Sequence, residues 1–246
     1  MKTRDLSAAF CVAALSALLL AGPWSDRLDG LSIDILHWLR TLRAEIRTPP
    51  PRPNVPLAVI AIDEATYRTQ PFSDAPRVMW TREIAQVLNA LRASNVAVVG
   101  IDMIFPTSME KYLRGFDRDF LLALRGLAKD GRVVLAKVQH SAAPIAPHAG
   151  QSYAVGHGRN IRVVNLLEDP DGTIRRVPLS FTVTSPAGVV RREPAFAAEI
   201  AKRLAGAEFS LSASGAMEFD GREISGTGDN ALNLNFDTGP GALAVH

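Results

Sequence analysis

The stretch VAVVGIDMIF, residues 96–105, is a mainly apolar run that ends at Pro106. Such a run is typical of a strand that is buried on both faces, because neither face is left for polar side chains. The pattern WTREIAQVLNALRA at residues 80–93 precedes it and predicts an amphipathic helix. Another apolar run, LAVIAI at residues 57–62, stands before that helix. These stretches together predict one βαβ unit.

The same alternation continues along the chain. Residues 117–127 predict the next helix and residues 133–138 the next strand, which gives three parallel strands with crossover helices. The segments 161–167 and 173–183 flank EDPDG at residues 168–172, a turn sequence that predicts a β-hairpin with a longer loop.

A helix over residues 196–205 and a strand over residues 232–236 complete the pattern. The antiparallel strands are expected to extend the sheet. The fold class is therefore predicted as α/β, with a mixed, mainly parallel β-sheet flanked by helices.

The N-terminal sequence predicts that the rest of the chain is exported from the cytoplasm. Lys2 and Arg4 precede residues 6–23, which contain no charged side chain. A helix of that length spans roughly 27 Å, close to the ~30 Å of a bilayer core. Basic residues stay on the cytoplasmic side, and Trp24 suits the far interface.

We therefore predict a cytoplasmic N-terminus at residues 1–5, a transmembrane helix at residues 6–24, and an extracytoplasmic remainder. Two alternatives stay open. One is a cleaved signal peptide, because Ala21 and Gly22 resemble a processing site, although Pro23 would follow the cut. The other is a buried helix of a soluble protein.

Residues 26–47 predict a membrane-proximal amphipathic helix. Its apolar positions recur every three or four residues, namely Leu28, Leu31, Ile35, Leu39, Leu42 and Ile46. It either packs on its own domain or pairs in parallel with the same helix of a second subunit. The proline-rich residues 49–53 end it, and residues 48–246 are predicted to form the extracytoplasmic α/β domain.

Composition excludes several classes of protein. A chain of 246 residues with 47% hydrophobic and 21% charged residues can bury a sizeable core. The net charge of +2 is spread over 27 basic and 25 acidic residues, so no basic block favours nucleic acid. Cys11 is the only cysteine, which rules out an intrachain disulfide and a cysteine metal cluster.

Several short motifs then identify a family resemblance. AIDE at residues 61–64 follows the first strand, Trp80 and Arg82 enter the next helix, and VGIDMIF occupies residues 99–105. Residues 165–178 carry DPDG followed by RRVP. In this order and spacing, over roughly residues 26–240, the chain resembles the type-two CHASE domain, the extracellular sensory module of cyclases and histidine kinases.

The resemblance implies a bacterial inner-membrane receptor whose sensory domain faces the periplasm. Such receptors continue into further membrane helices and an adenylate or guanylate cyclase, or a histidine or serine/threonine kinase. This sequence stops at His246 before any output domain, so we expect it to be part of a longer receptor. We further expect a homodimer that responds to an unknown signal or periplasmic partner.

Four residues are candidates for ligand binding: Asp63, Asp102, Arg82 and Arg175. Asp63 and Asp102 fall where two predicted strands run out, and these strands are expected to be neighbours; ligands of open α/β sheets bind beyond the carboxyl ends of strands. The alternative is that both carboxylates cap the turns that follow. Arg82 belongs to the family resemblance, and Arg175 follows the 168–172 turn.

The candidates do not assemble a catalytic set. No Gly-x-Ser-x-Gly motif, metal-ligand spacing or phosphate loop accompanies them, so no catalytic residue, metal or cofactor is assigned. The leading hypothesis is a sensory input module that is not itself an enzyme. The competing ones are an exported, membrane-anchored α/β enzyme and a ligand-free dimerisation domain.

Overall fold

A computed structural model of the chain describes residues 14, 16–17, 25–46, 57–140, 143–184, 188–211, 217–224, 230–234 and 244–245. Within these residues the helices are α1 Ser25–Ile46, α2 Glu64–Tyr67, α3 Thr81–Ala93, α4 Arg118–Lys129, α5 Ala149–Ala154 and α6 Phe196–Ala205. Short 3-10 helices lie at Arg77–Met79, Met109–Lys111 and His157–Asn160.

The strands are β1 Ala58–Val59, β2 Val99–Ile101, β3 Val133–Lys137, β4 Ile161–Val163, β5 Arg176–Pro178, β6 Ser180–Thr184, β7 Val190–Pro194, β8 Phe209–Leu211, β9 Met217–Phe219, β10 Arg222–Glu223, β11 Ala231–Asn233 and β12 Ala244–Val245.

The chain divides into two compact units. The first is drawn from Met1–Ile60, Leu167–Val177 and Asn233–His246, and the second from Ala61–Leu166 and Pro178–Leu232. In the first unit, β1 pairs in parallel with β12. The second unit holds α2 to α6 together with the larger sheets.

A three-stranded parallel sheet organises the second unit, in the order β2-β3-β4. Val99 pairs with Val133, and Leu135 pairs with Ile161. The central strand β3 is buried from Val133 to Ala136, on both of its faces. A strand without a polar face needs cover on both sides, and this explains its unbroken apolar sequence.

Helices α3 and α4 cover one face of this sheet. Their buried side chains form one core cluster with residues from β2, β3 and β4: Trp80, Ile84, Ala85, Leu88, Ile101, Phe105, Phe120, Ala123, Leu124, Leu127, Val133, Leu135, Val155 and Ile161. The apolar positions of α3 and α4 recur at helical spacing, so each helix presents a single apolar side to the sheet.

Helix α6 covers the other face. Gly100 in β2 permits its close approach, because a Cβ at this position would overlap Ile200 and lie 3.0 Å from Cζ of Phe196. Buried Glu199 on α6 accepts a hydrogen bond from Nε of Arg162 at 3.0 Å and another from Nε of Arg203 at 2.8 Å. Paired in this way, the buried charges fix α6 on the sheet instead of destabilising it.

Antiparallel strands form sheets of their own. β6 and β7 make a hairpin with Ser180 opposite Pro194, and β8, β9 and β10 make a three-stranded antiparallel sheet. Sequence analysis predicted that antiparallel strands would extend the parallel sheet. Among the described residues that prediction is wrong, because the hydrogen-bonded neighbours of β6 to β10 lie within these separate sheets.

The α/β class, the helices near residues 80–93, 117–127 and 196–205, and a parallel three-stranded sheet are confirmed. The identity of the third parallel strand was predicted wrongly. It is β4, whereas the 57–62 run contributes only β1, whose residues are exposed. An apolar run shows that a segment can enter a sheet, but it does not specify which strand it pairs with.

Around residues 168–172 the structure has a tight turn in place of the predicted hairpin with a longer loop. The Gly172 N–H donates to the Asp169 carbonyl at 2.8 Å, and a single antiparallel bridge joins Leu167 to Arg176. β4, which was expected to enter this hairpin, instead pairs in parallel with β3.

Helix α1 occupies almost the residues predicted for the amphipathic helix. The predicted transmembrane helix at residues 6–24 lies outside the described residues, apart from positions 14, 16 and 17. None of the helices in the described part of the chain is both long and apolar enough to cross a membrane.

The core predicts the outcome of a matched pair of substitutions on α4. Leu127 is fully buried, whereas Leu122 on the same helix is 54% exposed. We expect Leu127→Ala to lower the free energy of unfolding by about 2–5 kcal/mol, because it leaves a cavity against the sheet. Leu122→Ala should cost less than about 0.5 kcal/mol. Chemical denaturation measures both, and equal losses would contradict the described packing of α4.

Candidate functional site

A cavity of about 490 Å³ lies beyond the carboxyl end of β2. Its lining combines one basic and one acidic side chain with aromatic and aliphatic groups: Arg77, Asp102, Tyr67, Trp80, Phe105, Ile62, Val78, Met103 and Ile104. Parallel strands commonly place ligand sites at this end, since the connecting segments leave the sheet there. All of these residues belong to the second unit.

Trp80 forms a rigid wall of the cavity. Its ring is buried, and it contacts Tyr67 and Phe72 edge to face at centroid distances of 5.5 and 5.1 Å. Its Nε1–H donates to the carbonyl of Ala75 at 3.0 Å, so its polar atom is satisfied. The guanidinium of Arg77 lies over the Tyr67 ring at 5.6 Å.

Asp102 and Arg77 are the charged groups of the lining, and both are exposed. Neither forms an ion pair with another described residue. The cavity therefore presents charges of both signs next to an apolar surface. This combination suits a small ligand that has both charges and an apolar part.

The segment after β2 is held in place from two sides. The carbonyl of Phe105 accepts hydrogen bonds from the His148 N–H at 2.9 Å and from Nε2 of buried Gln151 at 3.1 Å. His148 caps helix α5, with its Nδ1 accepting from the Gly150 N–H at 3.1 Å. Helix α5 thus anchors the wall that contains Asp102.

Buried Asp117 anchors the far end of the same segment. One carboxylate oxygen accepts from Oγ1 of Thr81 at 2.8 Å, and the other accepts from Oγ of Ser108 at 2.5 Å and from the Met109 N–H at 3.1 Å. It joins the start of α3, the start of α4 and the end of the 102–109 segment. Asp117 is a positioning residue for the cavity.

Asp63 has a different role from Asp102. It caps the short helix α2, accepting from the N–H and Oγ1 of Thr66, each at 2.8 Å. The hydrogen bond from the Thr66 N–H holds the pKa of the Asp63 carboxyl below its usual value. Sequence analysis expected Asp63 and Asp102 to follow neighbouring strands, but β1 pairs with β12 and β2 pairs with β3.

Arg82 lies elsewhere in the second unit. Its guanidinium stacks over the Phe116 ring at 4.2 Å, a distance typical of a cation–π contact. It lines a groove between α3 and α4 of about 420 Å³, together with Arg92 and Asp119. Arg82 therefore does not line the cavity beside Asp102.

Arg175 lies in the first unit, where it is buried at the centre of an ionic cluster with buried Asp169 and the exposed Asp34 and Asp171. Its Nε and Nη2 donate to Asp34 at 2.8 and 2.7 Å, and Nη1 and Nη2 donate to Asp171 at 2.9 and 2.7 Å. Nη1 also donates to Asp169 at 3.0 Å. These five bonds use all five N–H donors of the guanidinium. We call Arg175, Asp34, Asp169 and Asp171 the clasp.

The clasp stabilises the charged forms of its members. The hydrogen bond from Arg175 is the largest cause that lowers the pKa of Asp34 and of Asp171. For Asp169, the largest cause is the bond from Arg176, whose Nη2 donates at 2.7 Å. The carboxylates in turn raise the pKa of Arg175, so the guanidinium is charged at any pH at which the protein is folded.

The four candidates thus lie in four places, and of these only Asp102 lines the cavity. Sequence reasoning missed Arg77 and Asp117. A serine, threonine or aspartate before a helix can indicate a helix cap. Asp117, however, accepts a hydrogen bond from Thr81, which lies 36 residues earlier in the chain, and no local pattern reveals that contact.

In the described part of the chain, no group of three or more His, Cys, Asp or Glu side chains could hold a metal ion.

Substitution of Asp117 tests whether this side chain anchors the wall of the cavity. We expect Asp117→Asn to lower the free energy of unfolding by about 1–3 kcal/mol, because an amide has one accepting oxygen in place of two and cannot accept from Thr81 as well as from Ser108 and Met109. Asp119→Asn, the same substitution at an exposed site, should cost less than about 0.5 kcal/mol. Thermal and chemical unfolding measure both, and an unaffected Asp117→Asn variant would rule out the anchoring role.

Comparison with known proteins identifies the family of the chain. The model of the CHASE2 domain matches residues 9–244, nearly the whole chain. No curated protein gives a significant match. No solved structure does so either. The match covers both units, including the clasp and the cavity, and the chain belongs to the CHASE2 domain family of extracellular sensory domains found in signalling receptors.

Proposed function

We propose that this chain is the extracytoplasmic input module of a bacterial transmembrane receptor, and that the cavity beside Asp102 binds the signal. Membership of the CHASE2 family supports the sensory role. The observation that carries the site is the pair of exposed, oppositely charged side chains, Arg77 and Asp102, in one partly apolar cavity. The output is a nucleotide cyclase or a protein kinase inside the cell.

The proposed location is the inner membrane, with the domain facing the periplasm. It is supported by the uncharged run at residues 6–23 after Lys2 and Arg4. The helix that follows the run, α1, would then carry a change in the domain toward the membrane. A receptor of this kind needs two conformations with different affinity for the signal.

The arrangement of the cavity favours one class of signal. Asp102 can accept a hydrogen bond from an ammonium group, and Arg77 can donate to a carboxylate. The aliphatic side chains of Ile62, Met103 and Ile104 leave room for an apolar part. Free amino acids with apolar side chains combine these features, and they are the probes that we would use first.

Topology is testable with reporter fusions. A periplasm-dependent phosphatase fused after residue 50 should be active, because the preceding uncharged run would carry it across the membrane. The matched fusion after residue 5 should be inactive. If the fusion after residue 50 were active only with a cytoplasmic reporter, the proposed orientation would be wrong.

Ligand binding is testable by thermal shift of the full chain in detergent with a panel of amino acids. A ligand at about 100 times its Kd adds about 2.7 kcal/mol of stability, which corresponds to a rise of roughly 5–10 °C in Tm. Asp102→Asn and Arg77→Gln should each abolish the rise and leave the Tm without ligand nearly unchanged, because both side chains are exposed.

Asp74→Asn is the matched control, since Asp74 is an exposed carboxylate in the same region and does not line the cavity. It should retain the full rise in Tm. A rise that persists in Asp102→Asn and Arg77→Gln would place the binding site elsewhere.

A further inference from the structure

A groove of about 420 Å³ runs between helices α3 and α4 on the outside of the second unit. It shares no lining residue with the cavity beside Asp102, so it is a separate surface. We call it the arginine groove. Its lining is mostly polar, and the exposed side chains in it are Arg82, Gln86, Asn89 and Arg92 of α3, with Asp119 and Leu122 of α4.

Helices α3 and α4 run side by side in the same direction. Near their starts, Oγ1 of Thr81 donates to Asp117 at 2.8 Å, and near their ends the guanidinium of Arg92 lies against Gly126. Arg82 and Arg92 are ten residues apart on α3, so their Cα atoms are separated by about 15 Å along the helix. The arginine groove therefore has one guanidinium near each end.

Each guanidinium is held by a contact that leaves its N–H donors available. Arg82 stacks over the Phe116 ring at 4.2 Å, and such stacking uses the face of the guanidinium. A Cβ at position 126 would lie 2.9 Å from Nη1 of Arg92, so Gly126 provides the seat for that group. To other residues that the structure describes, neither arginine donates a hydrogen bond or forms an ion pair.

Nearby carboxylates leave the arginine groove basic. Two arginines against Asp119 give its lining a net charge of +1. Asp130, just beyond α4, is bonded to Arg132. That hydrogen bond is the largest cause that lowers the pKa of Asp130, and the charge of Arg92 contributes less. The groove therefore favours an anionic ligand.

The middle of the groove carries side chains of another kind. Gln86 and Asn89 are exposed there, and each amide can both donate to and accept from a peptide group. Leu122, which is 54% exposed, adds an apolar contact from α4. Arginines at the ends with amides between them suit an extended peptide that carries acidic side chains.

We propose that the arginine groove binds an extended acidic segment of a partner protein, with two carboxylates four residues apart that pair with Arg82 and Arg92. An extended chain rises by ~3.3 Å per residue, so residues i and i+4 are about 13 Å apart and point to the same side. This spacing matches the two arginines. A compact anion would reach only one of them, because Phe116 and Gly126 hold them at opposite ends of the groove.

Fluorescence anisotropy of the full chain in a neutral detergent tests the proposal with two labelled peptides of identical composition. In Glu-Thr-Val-Thr-Glu the carboxylates are four residues apart. In Glu-Thr-Val-Glu-Thr they are three apart, so they point to opposite sides of an extended chain. With both ends blocked, the first peptide should bind at least about fivefold more tightly, which corresponds to ~1 kcal/mol. Equal affinities would overturn the proposal.

Substitutions that change one charge locate the binding site. Arg82→Gln and Arg92→Gln should each raise the Kd of the first peptide at least about fivefold, because each removes one guanidinium–carboxylate pair. Asp119→Asn should lower this Kd, since it removes a like charge from the groove. The matched control is Arg125→Gln, an exposed position of α4 outside the groove, which should change the Kd less than about twofold. An equal loss in the Arg125→Gln variant would mean a general effect of net charge, and the proposal would be wrong.

Gly126→Ala tests the seat of Arg92 without changing any charge. The nearest atoms that the added methyl group meets all belong to the Arg92 guanidinium, which must move. Alanine is a better helix former than glycine, so the Tm should not fall. The Kd of the first peptide should nevertheless rise, and an unchanged Kd would contradict the placement of Arg92. If a variant fails to fold, as its Tm and circular dichroism reveal, the two peptides on the unmodified chain still decide the proposal.

Other sources of negative charge give distinguishable outcomes. Inorganic phosphate or free glutamate that displaces the first peptide at the Kd of the peptide itself would mean a small-anion site. Displacement by mixed micelles of detergent and phosphatidylglycerol would mean a lipid-facing surface. Either result would overturn the proposal, and we expect neither. A failure of amino acids to bind beside Asp102 would leave all of these expectations unchanged, because the two sites have no residue in common.

Discussion

The burial of β3 on both faces is the constraint on which the second unit depends. Val133 to Ala136 expose no polar side chain to water, so helices must cover both faces of the sheet. Helices α3 and α4 supply one cover and α6 the other, with Gly100 permitting the close approach of α6. Once both faces are closed, the chain can leave the sheet only at the strand ends, and the cavity forms where β2 ends.

Buried charged groups then fix the helix rotations and the connecting segments that apolar contacts leave undetermined. Hydrophobic contact is non-directional, so it holds helices on a sheet without determining their rotation or the course of the connecting segments. Glu199 fixes α6, Asp117 fixes the segment behind Asp102, and Arg175 fixes the turn at residues 169–172 against α1. Each of these groups is fully paired, and this is the condition under which a buried ionic group gives specificity without a large loss of stability.

The cavity and the clasp lie in different units. The second unit carries the cavity, and the first carries α1 and the clasp. The clasp is built on one arginine whose five N–H donors are all used by three carboxylates. The arrangement connects a turn of the domain to the helix that follows the predicted membrane segment.

The sequence by itself determined the elements and the family. Periodicity located α1, α3, α4 and α6, the apolar runs located β2 and β3, and the ordered motifs identified the CHASE2 resemblance, because these signals are local. Strand pairing could not be read from the sequence. The run at residues 57–62 is more apolar than β4, which contains Arg162, yet it is β4 that pairs with β3 in the packed chain. The same distinction between local signals and tertiary contacts applies to the candidate site residues. Asp102 was found from its position after a strand, whereas Arg77, Asp117 and the partners of Arg175 come from distant segments, and contacts of that kind arise only when the tertiary structure brings those segments together.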